Sequence, residues 1–224
     1  MESSAGVVIV GAGIVGCSAA EHLIRMGWQD VVVVDQGPLF EAGGSTSHAP
    51  GLVLQTNPSK TMAELASYGV KRYSELEVDG KPCFYGVGGL EVATTPERWK
   101  ELRRKHGLAA SWGIESALLS PEECVEKSPL LDGSRILGGY FVPSDGIAKG
   151  VRVSEAMGRE AISRGAKFHG ETEVTGIEVK DGRVRAVETS RGRIETEVVL
   201  SCAGMWGPRI GRMAGAFVPL LTPM

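Results

Sequence analysis

The residues with the clearest chemical meaning are three glycines, Gly11, Gly13 and Gly16, in the run GVVIVGAGIVG, and a carboxylate, Asp35, nineteen positions after the last of them. Spaced as G-x-G-x-x-G, the glycines have separate jobs. Gly11 permits a tight turn, Gly13 beside Ala12 lets the backbone approach a pyrophosphate, and Gly16 lets the helix carrying Ile14 and Val15 lie close against a sheet. The start of that helix offers free N–H groups and a positive dipole end to phosphates. Asp35, followed by Gln36, can accept hydrogen bonds from both hydroxyls of an unphosphorylated ribose. Such a site calls for an adenine dinucleotide and leaves NAD and FAD open. A second stretch, GGSTSHAPG at residues 43–51, sets one imidazole, His48, among glycines, short hydroxyls and a proline. Composition alone makes His48 a solvated loop residue.

These groups need elements to hold them. GVVIV and Val31–Val34 are β-branched runs without alternation, as expected of strands buried on both faces, and IVGCSAAEHLIRMG between them has helical spacing up to Gly27. Strand, glycine turn, helix and strand form a βαβ unit. Much later, alternating runs flank Asp181-Gly182 and a second turn at Arg191-Gly192, which predicts a three-stranded meander. VVLSCAG, residues 198–204, follows as a returning buried strand, and then a helix around Met205 to Met213. That order is the one found in FAD-binding flavoproteins, and an NAD domain would instead continue with alternating helices and strands. By this analogy FAD is favoured.

Residues 53–148 predict an inserted α+β module. One amphipathic helix places Met62, Leu65, Ala66, Val70, Tyr73 and Leu76 near one side. GGLEVATT reads as a strand, PERWKELRRKHG as a helix stopped by Gly107, and SPEECVEK as a helix capped by Ser120. GIAKGVRVSEAMGREAISRG predicts a long helix that returns the chain to the nucleotide fold. The expected class is α/β: a Rossmann-like parallel sheet with a β-meander and an inserted α+β substrate module, incomplete, divided as 1–52, 53–148 and 149–224.

At 224 residues, 42% hydrophobic and 23% charged, the chain can bury a sizeable core. A net charge of -3 with no Lys/Arg run argues against nucleic-acid or membrane-surface partners. Cys17, Cys83, Cys124 and Cys202 are isolated and predict buried free thiols rather than a metal or redox site. The opening residues lack a basic region, and their apolar run breaks at Gly11, so neither a signal peptide nor a membrane span is expected and the setting reads as cytoplasmic. His22, His106 and His169 have no catalytic partner in view, and no G-x-S-x-G marks a hydrolase.

GGSTSHAPGLVLQTNPSKTMAELASY, GGLEVATT, LLSPEEC and ILGGYFVPSDG resemble the amino-terminal part of the bacterial dimethylglycine oxidases. These belong to the sarcosine and dimethylglycine dehydrogenase group of the D-amino-acid oxidase-like flavoproteins, and the resemblance runs along essentially the whole chain. It implies FAD attached covalently, through the 8α-methyl of the flavin, to His48. It also implies that Ile14, Val15, Asp35, Gln36, Ser45, Thr46, Ser47, Leu52 and Val174 line the FAD. Gly43 and Gly44 would bring the backbone to the cofactor, the hydroxyls of residues 45–47 would meet its phosphates and ribityl chain, and Pro50 would stiffen the exit.

The implied reaction oxidises an N-methyl group of dimethylglycine or sarcosine to an iminium, with the hydride equivalent passing to flavin and then to oxygen as the favoured acceptor. The family's catalytic His and Tyr, the rest of its substrate sheet and its folate-binding region match nothing before Met224. No catalytic residue is therefore assigned, and the chain is expected to be a truncated product or fragment of doubtful activity alone. A separate chain supplying the carboxy-terminal half is an expected partner, besides the small amine. The alternatives are an NAD-dependent dehydrogenase and a non-catalytic dinucleotide-binding fragment or subunit.

Overall fold

A computed structural model describes residues 1–41 and 43–220. The end of the expected third segment, residues 221–224, lies outside the described residues. The chain divides into two compact units, one of Met1–Ala49, Glu77–Lys81 and Lys149–Met224, the other of Pro50–Leu76 and Pro82–Ala148.

The first unit is built on β1 (Val7–Val10) and β2 (Val31–Val34), every residue of which is at most 6% exposed. Two four-residue apolar runs of this kind are stable only with both faces covered. They form the centre of a four-stranded parallel sheet, flanked by Lys167–His169 beside β2 and Val199–Ser201 beside β1. Helix α1 (Ile14–Arg25) crosses between β1 and β2 and packs on the Gly150–Ser163 helix. Gly158 of that helix is where it must come close: a Cβ there would lie 2.4 Å from the Phe40 ring.

The register ends the strands together. Val10 pairs with Val34 on one side and Ser201 on the other, so Gly11, Asp35 and Cys202 emerge side by side. Successive parallel strands on opposite sides of β1 make a topological switch point, and open α/β sheets bind ligands in the crevice outside it. The meander of Val174–Lys180, Arg183–Thr189 and Gly192–Glu195 follows, turning at Asp181 and Gly182, whose φ angles of 53° and 71° are those of a tight hairpin.

The second unit holds an antiparallel sheet ordered Gly89–Ala93, Gly138–Val142, Ala117–Leu119. The Pro96–Ser111 helix covers it through Leu102 and Ala109. Here the helix runs past Gly107, contrary to the sequence expectation. Ala109, seven residues after Leu102 and fully buried with it, holds the next turn in the core, and Gly113, with φ 74°, follows the true end. The expected face of the Lys60–Ser74 helix holds in part: Val70 and, just past the helix, Leu76 are buried, but Met62 and Leu65 are 52% and 58% exposed, and the small Ala63 enters the core with Val142 and Tyr140. Gly146–Ala148, read from sequence as the start of a helix, is a strand between Leu52–Val53 and Phe84–Tyr85. Gly146 suits it, since a Cβ there would sit 2.1 Å from the Tyr85 carbonyl oxygen.

A polar joint anchors this unit. Asp145, 3% exposed, accepts from the Gln55 backbone N–H at 2.9 Å and from Gln55 Nε2 at 3.0 Å. Burial pushes its carboxyl above the ordinary value of 3.8.

Two stability experiments follow from this packing. A Cβ at Gly16 would lie 1.8 Å from the Gly11 carbonyl oxygen, so Gly16→Ala is expected to cost about 1–3 kcal/mol by overpacking. Gly43→Ala, with no atom in reach of a Cβ, should leave the thermal midpoint unchanged. At Asp145, a raised folded-state pKa means stability that is fully present below 3.8 and lost as pH rises through the folded value. Asp145→Asn, which keeps the acceptor and removes the charge, should therefore match the native urea midpoint in acid and exceed it at neutral pH. Asp145→Ala, which strands the Gln55 N–H, should lose about 1–3 kcal/mol at either pH.

Candidate dinucleotide site

A groove of about 690 Å³ lies in the first unit, at the carboxyl ends of β1, β2 and the Val199–Ser201 strand. Its floor is the glycine turn. Gly11 has φ 107°, and a Cβ there would stand 2.5 Å from the Cys202 carbonyl oxygen. A Cβ at Gly13 would be 3.1 Å from Thr46 Oγ1. At Gly11 only glycine lets the turn sit so close to the neighbouring wall, and at Gly13 a side chain would crowd the Thr46 hydroxyl. Asp35 stands beside it with a fixed carboxylate: Oδ2 accepts from the Ala12 N–H at 2.7 Å and Oδ1 from the Gly37 N–H at 2.8 Å. Each oxygen keeps a further lone pair for a ribose hydroxyl.

Helix α1 has no acidic residue in its first turn, and its N-cap, Gly13, has no side chain to offer. Its first N–H, that of Ile14, donates instead to Thr46 Oγ1 at 3.0 Å, thirty-two residues along the chain. Thr46 belongs to α2 (Ser45–His48), a single turn whose position is fixed from the other side by the Gly150–Ser163 helix. A Cβ at Gly150 would come within 2.6 Å of the Thr46 carbonyl oxygen. The amino ends of two helices of 12 and 14 residues thus meet at one threonine. Their positive ends make this part of the groove suited to an anion. Glycine floor, helix amino end and ribose carboxylate together fit the adenosine diphosphate part of a dinucleotide.

His48 closes α2 and is exposed. Its Nδ1 lies 2.9 Å from the Gly44 carbonyl oxygen and 3.0 Å from Ser47 Oγ. A carbonyl only accepts, so Nδ1 is the donor in that contact and Nε2 points away from it. The remaining histidines are tied up locally: His22 with Glu21, His106 with Ser116 and His169 with Glu2.

Of the residues expected at the site, Gly11, Ala12, Gly13, Ile14, Val15, Asp35, Gln36, Gly44, Ser45, Thr46, Ser47 and Val174 line the groove. Gly16 is buried beneath the turn and acts through packing. His48 stands outside the lining, although Ser47 and Ala49 on either side of it are part of it. Leu52 is 65% exposed on a strand of the other unit. Sequence reading missed Phe40, Glu173, Trp206 and Arg209, which also line the groove. Their only signal was position, just after β2, just before the meander and just after the returning strand. Cys202 lines the groove too, and Cys17 lies under it, donating to the Ala12 carbonyl at 3.1 Å with its thiol pushed up to about 12 by burial. Among the described residues no cluster of three or more potential metal ligands occurs, and no helix is long and apolar enough to cross a membrane.

Comparison with known proteins agrees with this geometry. Residues 6–224 match the model of the DAO family, described as FAD dependent oxidoreductase. Over 99% of its length the chain is 36% identical to mitochondrial sarcosine dehydrogenase of Mus musculus, covering 25% of that protein. It is 31% identical over 97% of its length to mitochondrial dimethylglycine dehydrogenase of Homo sapiens, again covering 25%. It is also 34% identical over 94% of its length to the mitochondrial pyruvate dehydrogenase phosphatase regulatory subunit of Mus musculus, covering 24%. The chain therefore spans about a quarter of the length of these relatives. Its structure superposes on L-proline dehydrogenase from P. horikoshii with a TM-score of 0.88 and 27% identity, over the whole of this chain and 58% of that one. The chain thus belongs to the DAO family of FAD dependent oxidoreductases.

Proposed function

We propose that this chain forms the FAD-holding part of an oxidoreductase that oxidises the N-methyl group of a small amino acid, dimethylglycine or sarcosine. The observation that carries the reading is the capping of α1 by Thr46, which brings the hydroxyl turn onto the phosphate end of the groove. When bound, FAD would supply the two-electron chemistry that turns the amine into an iminium. The protein's own residues would do the positioning. Asp35 would hold the ribose, and the α1 amino end would face the diphosphate. Thr46, whose oxygen already accepts from Ile14, would turn its free O–H toward a phosphate oxygen. His48 would offer the Nε2 lone pair to the 8α carbon while the Gly44 carbonyl steadies the proton on Nδ1. Oxygen is the proposed acceptor, on the overall likeness of the chain to the bacterial oxidases.

The residues that bind the amine and move its proton are proposed to come from sequence outside this chain's stretch of the family, in the same or a separate polypeptide. A second reading, a flavin-binding subunit without turnover, is favoured by the likeness to a phosphatase regulatory subunit. Anaerobic bleaching by sarcosine or dimethylglycine, with the family's remaining sequence supplied in the same or a separate polypeptide, separates the two, since only the oxidoreductase then passes substrate electrons to the flavin.

Purified after expression with FAD, the protein should be yellow, and the colour should stay with the acid-precipitated pellet. His48→Ala should release the colour to the supernatant while still binding FAD reversibly. A colourless native protein would refute the flavin reading, and a yellow pellet from the alanine variant would refute the attachment at His48. Thr46→Val removes the hydroxyl at nearly constant shape and should weaken FAD binding about tenfold, the equivalent of ~1.4 kcal/mol, whereas Thr46→Ser should bind like the native chain. Quenching of flavin fluorescence in a titration measures both.

A further inference from the structure

The charges on the groove wall do not suit the ligand its floor is built for. Three carboxylates line it, those of Asp35, Glu41 and Glu173, against a single cationic side chain among the described residues, Arg209. A dinucleotide brings two more negative charges in its diphosphate. The two helix amino ends that meet at Thr46 offer about half a positive charge each, too little to offset the diphosphate and the wall carboxylates together.

Arg209 is already held at the groove. From the Gly207–Met213 helix its Nη2 donates to Glu173 Oε1 at 2.6 Å, joining segments thirty-six residues apart. The two side chains are 50% and 44% exposed, and an exposed pair of this kind adds little to stability. Glu173 sits next to the ribose site, since the neighbouring Thr172 N–H donates to the Asp35 carbonyl at 2.7 Å. A guanidinium binds a phosphate by the same charge-assisted hydrogen bonds that it offers a carboxylate, so one partner can replace the other.

We propose that Arg209 is an exchangeable counter-charge for the dinucleotide's diphosphate, stored on Glu173 while the groove is free and handed to the phosphate when the ligand enters. The proposal rests on the groove being the FAD site. It assigns opposite signs to the two partners of one ion pair. Arg209 helps binding, and Glu173 competes with it.

Calorimetric titration with ADP and with FAD, on the native chain prepared free of flavin and on Arg209→Gln, Arg209→Lys and Glu173→Gln prepared in the same way, tests it at low and physiological salt. Loss of the guanidinium should weaken ADP about tenfold and flatten the salt dependence, because one phosphate contact fewer is made. The lysine variant should recover most of the loss. Glu173→Gln should tighten ADP by about threefold, since it removes a competing carboxylate and frees Arg209. Unchanged affinity in Arg209→Gln, or weakening in Glu173→Gln equal to that in Arg209→Gln, would overturn the exchange and leave the FAD site standing. Failure of the native chain to bind either ligand would overturn both.

Discussion

Between Gly16 and the Gly11 carbonyl there is no space for a methyl group, and the nucleotide fold is arranged around that contact. It fixes α1 against the end of β1, and thereby where the free N–H groups of the helix point. Because β1 and β2 end in register, the Asp35 carboxylate emerges beside the turn and is locked by the Ala12 and Gly37 N–H groups. The returning strand delivers Cys202 to the other side, where its carbonyl meets Gly11. Each wall of the groove is thus referenced to the same few backbone atoms.

Thr46 extends this arrangement to the stretch that carries the imidazole. One side chain joins two parts of the sequence that no local rule connects, supplying to α1 the cap its own Gly13 lacks. The carbonyl of the same residue is fitted under the start of the Gly150–Ser163 helix, so the turn is held from both sides. Displacement of this turn would disturb the phosphate end and the position of His48 together. That coupling gives a physical reason for the hydroxyl residues and the histidine to share four consecutive positions.

The βαβ unit was legible because its strands are short apolar runs with no polar face, and the glycine spacing states which close approaches they need. The meander was legible through Asp181-Gly182, a pair suited to positive φ at both positions. Gly107 misled because local propensity signals a stop, while burial of Ala109 outweighs it. The Lys60–Ser74 helix misled only in its first half, where the small Ala63 rather than Met62 or Leu65 packs with Tyr140 and Val142, while Val70 is buried as expected. At the site, residues adjacent to motifs were readable, whereas Trp206 and Arg209 reach the groove only through tertiary return of the chain. His48 and Leu52 rested on resemblance alone. The structure places the first at the rim and the second on a strand of the other unit.

Cys17 sits directly beneath the turn, fully buried, with its proton directed at the Ala12 carbonyl. A thiol held near 12 is almost entirely protonated at neutral pH, and alkylating agents and peroxide attack the thiolate. Sulfur can therefore persist beneath the glycine turn without being consumed by oxidants. Labelling at Cys17 would accordingly measure how often the sheet opens, which makes this residue an internal clock for the integrity of the cradle.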